Sequence, residues 1–132
     1  MIYEFCAENV TLLEKAMQAG ARRIELCDNL AVGGTTPSYG VTKAAVELAA
    51  NYDTTIMTMI RPRGGDFVYN DLEIAIMLED IRMTAQAGSQ GVVFGVLTAD
   101  KKLDKPNLEK LMAASKGMEI VFHMAFDELS EE

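Results

Sequence analysis

Apolar residues along this chain switch between two spacings. Five short segments read as strands: Ile2–Cys6, Arg23–Cys27, Thr54–Ile60, Gly91–Gly95 and Glu119–His123. Between them the apolar positions recur at helical period. Leu13, Ala16 and Met17 share a face, with Gly20 placed to end the helix. Val41, Ala44, Ala45 and Leu48 form a second stripe, and Leu108, Leu111 and Met112, following Pro106, form a shorter fourth. The third is the clearest: Ile74, Met77, Leu78, Ile81 and Ala85 line one face, Asn70 and Glu73 suit a capping box, and Gly88 closes the run.

Strict alternation of strand and helix predicts an α/β chain whose parallel strands are joined by right-handed crossovers. An open doubly wound sheet and a closed barrel both satisfy this pattern. The turn after the first strand, Ala7-Glu8-Asn9-Val10, contains no glycine, so no dinucleotide phosphate loop is expected there. The TIM-type (β/α)8 barrel is favoured. A complete barrel takes ~200 residues or more, whereas 132 residues hold about five strand–helix units, and Met124–Glu132 does not read as a sixth strand. Residues 1–132 are thus expected to form one partial barrel domain with open edges at its first and fifth strands. Such a chain is either a truncated product or one that closes against another chain.

Composition narrows the partners. Net charge is −8, which disfavours nucleic acid and anionic membranes, since both recruit Lys/Arg surfaces. No apolar run approaches the ~20 residues of a membrane span. The N-terminus lacks a basic segment followed by an apolar one, so no signal peptide is read and the cytosol is the expected location. In that reducing compartment Cys6 and Cys27 are expected as thiols rather than as a disulfide. The nine methionines mostly occupy helix and strand core positions and read as packing.

Candidate chemistry gathers where the strands end. Side chains alternate across a strand, so Glu4 shares a face with Cys6 and Glu25 shares one with Cys27. The same Glu-x-Cys pattern therefore closes two strands. Helix-facing positions must be apolar, as Ile24 and Leu26 are, so the polar pairs are expected to point into the barrel. The third strand leads to Arg61, Pro62 and Arg63, and the fifth to His123, the one histidine of the chain, with Asp127 four residues on. Barrel enzymes build their sites at this C-terminal mouth. A structural network, with Arg61 and Arg63 neutralising the inward glutamates, is the plain alternative. Gly33-Gly34-Thr35-Thr36-Pro37-Ser38 reads as a flexible loop over the mouth and is a weak candidate for an anion cradle. Two thiols on neighbouring strands, ~5 Å apart if directly opposed, suit Cu(I), with a histidine nearby. Glu4 and Glu25 would oppose thiolate formation by raising the thiol pKa values. The competing reading is an enzyme: a carboxylate base, a histidine acid and an arginine for a small anionic metabolite suit lyase or isomerase chemistry.

At these residues the chain resembles the CutC copper-homeostasis family. The matching stretches are Arg23-Ile24-Glu25-Leu26-Cys27-Asp28-Asn29-Leu30, Gly33 to Ser38, Met59-Ile60-Arg61-Pro62-Arg63-Gly64-Gly65-Asp66-Phe67, Gly91 to Leu97, and Phe122-His123. The resemblance runs along the whole chain but covers only the N-terminal portion of the family. It implies a cytosolic (β/α)8 barrel concerned with copper, often a homo-oligomer. It implies Cys6 and Cys27 as Cu(I) ligands, and Glu4, Glu25, Arg61, Arg63, His123 and Asp127 as pocket residues. Two departures stand out: Met124 occupies a position where the family usually has arginine, and the last three strands are missing.

Overall fold

The computed structural model describes residues 4–122. Five strands, β1 (Glu4–Glu8), β2 (Arg23–Cys27), β3 (Thr55–Met59), β4 (Gly91–Phe94) and β5 (Glu119–Phe122), alternate with four helices, α1 (Leu13–Gln18), α2 (Tyr39–Ala49), α3 (Asp71–Gln86) and α4 (Lys105–Ala114). Every strand pairing is parallel, and spatial order equals chain order.

Local chemistry explains where the helices begin and which face they bury. At α3 the Asn70 side chain accepts from the Glu73 amide while the Glu73 carboxylate accepts from the Asn70 amide, satisfying two amides that a helix start would otherwise leave unpaired. Tyr69 before the cap and Ile74 after it are buried in one cluster, which fixes the entry angle of the chain. Ser38 caps α2 by accepting from Val41 N at 3.2 Å, and Asp104 caps α4. The predicted stripes are buried at Leu13, Ala16 and Met17, and at Ile74, Met77 and Ile81. Ala44 and Ala85 are exposed instead, and Thr42 and Thr84 take buried positions beside those stripes.

The sheet has two faces with different fillings. Towards the helices lie Phe5, Ala7, Ile24, Leu26, Ile56, Ile60, Val92, Phe94 and Ile120, divided between two apolar clusters. The opposite face carries a smaller third cluster of Cys27, Met57, Met59, Val93 and Val121.

This second face is concave. The guanidinium of Arg23 on β2 meets the Glu119 carboxylate on β5 at 2.9 Å, although β3 and β4 lie between them. Three strand spacings on a flat sheet amount to about 14 Å, near the limit of what the two side chains can span, so the contact is in keeping with a sheet that curls inward. Between the two residues the register places Thr55, Met57 and Gly91. A partial barrel accounts for this curvature.

One boundary differs from the sequence reading. The first strand extends to Glu8 rather than ending at Cys6. The Asn9 amide still donates to the Cys27 carbonyl at 2.8 Å, so the ladder continues through the segment read as a turn. Among the described residues, no helix is long and apolar enough to cross a membrane.

Gly91 marks the tightest point of the inner face. A Cβ there would lie 2.3 Å from Met57 Cε and 2.6 Å from the Glu119 carbonyl oxygen. The methionine can swing aside but the backbone oxygen cannot. Gly91→Ala is expected to cost about 1–3 kcal/mol in urea unfolding, and adding Met57→Ala should not restore the parent midpoint. Full recovery in the double variant would show the carbonyl contact to be harmless.

Candidate functional site

The register decides how the thiols and carboxylates meet. Cys6 pairs with Glu25, and Glu8 pairs with Cys27. The two Glu-x-Cys motifs are thus offset by two residues, and the cysteines face each other diagonally. The offset puts their Cα atoms about 8 Å apart, from a rise of about 3.3 Å per residue and a strand spacing of about 4.8 Å. That replaces the separation expected for directly opposed thiols. It exceeds the span of an unstrained disulfide, and the two cysteines are thiols not joined to each other.

The two thiols differ in environment. Cys6 is exposed and Cys27 is buried, with 3% of its surface accessible. Cys27 Sγ donates to the Ala7 carbonyl at 3.6 Å. Burial pushes its thiol up to about 11, and the charges of Cys6, Glu8, Glu25 and Asp28 push it the same way. Glu8 was not among the residues singled out from the sequence. Its signal is the same two-residue alternation, carried one step past the assumed strand end. Its carboxylate also accepts from Leu30 N at 3.1 Å, tying β1 to the loop after β2.

Arg61 and Arg63 bond chiefly to the loops around the mouth. Arg61 is 3% exposed. Its Nη1 donates to the Val32 and Gly34 carbonyls at 2.7 and 3.0 Å, and its Nη2 donates to the Gly65 carbonyl at 2.7 Å. The guanidinium lies 4.7 Å from the centre of the Phe67 ring, a cation–π geometry. Its Nε is buried without a hydrogen-bond partner. The glycine loop thus turns carbonyl oxygens towards a cation, the reverse of the anion cradle that glycine-rich composition suggests. Arg63 Nε donates to Glu73 at 2.7 Å, and its other nitrogens reach the Asp66 carboxylate and the Asp66 and Val68 carbonyls. Hydrogen bonds from Arg63 and from the Asn70 amide hold the Glu73 carboxyl below its usual range. Both arginines therefore brace the loops that follow β2 and β3.

Of the other predicted residues, Glu4 begins β1 in register with Arg23, and His123 and Asp127 lie outside the described residues. Glu25 is half-buried on β2, opposite Cys6. Among the described residues, no three histidine, cysteine or acidic side chains converge as a metal cage. The soft donors present are the two thiols, and Glu8, Glu25 and Asp28 lie near enough to act on Cys27 electrostatically; thiol sulfur suits a soft monovalent cation better than an anion.

The fold and mouth thus define a β/α-barrel segment whose chemistry sits at the C-terminal ends of its strands. A model of the CutC family matches residues 1–132, and the chain belongs to that family. It is 56% identical to a CutC family protein of Streptococcus pyogenes over 98% of its own length and 62% of the relative's. It is 53% identical to one of Enterococcus faecalis, over 100% and 63% respectively. A crystal structure from Streptococcus agalactiae, which carries the name of a copper homeostasis protein CutC, superposes with a TM-score of 0.94 at 50% identity, covering 98% of this chain and 62% of that one. The chain therefore spans less than two thirds of the length of these relatives.

The raised Cys27 thiol sets a pH dependence. In the unfolded chain it ionises near 9, in the folded protein near 11. The unfolded state loses this proton first, so stability falls as pH rises from about 9 through about 11. The urea midpoint of the reduced parent should drop across that window by more than that of Cys27→Ala. Equal drops would show that Cys27 does not couple to folding.

Proposed function

We propose that this chain handles copper in the cytosol by binding Cu(I) through Cys6 and Cys27. The observation that carries the reading is the meeting of two thiols on the inner face of adjacent strands, diagonal to each other and flanked by Glu8, Glu25 and Asp28. A spacing too wide for a disulfide suits a bridging ion, because a metal adds two bonds between the sulfurs. The carboxylates favour a cation and at the same time resist thiolate formation. The metal must therefore displace protons, and affinity should rise with pH. The copper-related name of the Streptococcus agalactiae relative points the same way. Within this reading Glu4, His123 and Asp127 belong to the pocket and the whole protein assembles as a homo-oligomer.

The second reading is a barrel enzyme acting on a small anionic metabolite, with Arg61 as the anion partner. The geometry weighs against it, because the Arg61 guanidinium is buried and three of its hydrogen bonds go to backbone carbonyls.

Titration of reduced protein with Cu(I) against a chelator tests the proposal. The parent is expected to compete for about one equivalent, and Cys6→Ser/Cys27→Ser to lose at least about tenfold in affinity, the equivalent of 1.4 kcal/mol. Undiminished binding by the double variant would remove both cysteines as ligands. The parent affinity should also climb between pH 6 and 8.

A further inference from the structure

Cys27 is covered partly by its neighbours Met57, Met59 and Val93 and partly by a loop. After β2, residues 28–36 run through a single 3-10 turn at Leu30–Val32 and double back, with Asp28 and Thr35 exchanging backbone hydrogen bonds at 2.9 and 2.8 Å. The returning arm passes Gly34 directly above the thiol. A Cβ on Gly34 would stand 3.4 Å from Cys27 Sγ and 3.3 Å from Met59 Cε. Gly34 also has φ +97, a conformation that glycine adopts without strain. A Cβ would meet the sulfur at ordinary van der Waals distance, so it is the backbone conformation that asks for glycine here.

The loop does not hold itself down. Its carbonyls at Val32 and Gly34 accept from Arg61 Nη1. Its Thr36 amide donates to the Arg61 carbonyl at 3.0 Å, and Thr36 Oγ1 accepts from the Arg61 amide at 2.8 Å. Arg61 in turn is fixed by the Gly65 carbonyl and the Phe67 ring. On its other side the loop is tied to β1 through Leu30 N and the Glu8 carboxylate. The loop is fastened at two points, and one fastening residue, Glu8, stands in register with Cys27 itself.

We infer that residues 28–36 form a lid over the Cys27 thiol and that Arg61 is the latch holding it closed, a positioning residue rather than a ligand-binding one. Cys6, exposed on the same face of the sheet, is the first thiol a ligand meets, and Cys27 becomes reachable when the latch releases. As a control on metal access this rests on the reading of Cys27 as a ligand. As a statement about thiol exposure it does not.

Thiol labelling separates the two. In a Cys6→Ser background, Cys27 should react with a small neutral maleimide far more slowly than the same protein unfolded in urea. Arg61→Lys keeps the charge but cannot bridge the same carbonyls, and Thr36→Val removes the hydroxyl contacts. Each should speed labelling about tenfold or more, the effect of losing charge-assisted or buried hydrogen bonds that hold a closed state, with native circular dichroism. Ile81→Val, a small core change in α3 far from the loop, serves as the stability control and should leave the rate near that of the parent. Fast labelling in the parent, unchanged rates in both latch variants, or equal acceleration by Ile81→Val would each overturn the lid. Failure of the parent to bind Cu(I) would overturn the copper reading alone, with the labelling rates still deciding the lid.

Discussion

A parallel sheet must have both faces covered, and in this protein the two are covered in different ways. The helices bury one face with branched and aromatic side chains. The other carries a smaller cluster of Met57, Met59, Val93 and Val121 around Cys27. The Arg23–Glu119 ion pair spans this hollow, and Gly91 is the point where a single extra carbon would collide with backbone. Curvature follows from this packing and brings the strand ends together as a mouth. Without it, Cys6 and Cys27 would line an open surface.

Charge at the mouth is divided between two jobs. Carboxylates at Glu8, Glu25 and Asp28 surround the buried thiol. Arg61 and Arg63 serve the architecture: Arg61 binds loop carbonyls, and Arg63 binds Glu73, Asp66 and the start of α3. A guanidinium offers five donors in a rigid fork, which lets one side chain gather carbonyls from loops distant in sequence. The result is a mouth whose loops are held in place by guanidinium hydrogen bonds. Arg61 and Arg63 thus brace the loops around the thiol.

Much of this was legible in the residues. Strand–helix alternation, the capping box at Asn70 and Glu73, and the stripe of Ile74, Met77 and Ile81 all depend on local periodicity and capping chemistry, and they appear where the pattern placed them. The shared face of Glu25 and Cys27 also follows from period-two alternation, and the family was legible separately, in the motif stretches at these strand ends. Glu8 escaped notice because a turn was read into Ala7–Val10, and only pairing with β2 shows that the strand continues.

What the sequence determined by itself was the order and type of the elements and the face on which each side chain sits, because these depend on neighbours within a few residues. Tertiary structure alone decided the register of β1 on β2, and with it the diagonal meeting of the thiols, since a two-residue slip leaves the face of every side chain unchanged. It also decided the destination of Arg61. An arginine after a strand can reach solvent, substrate or backbone with equal ease, and only the return of the glycine loop over Cys27 supplies the carbonyls that hold it.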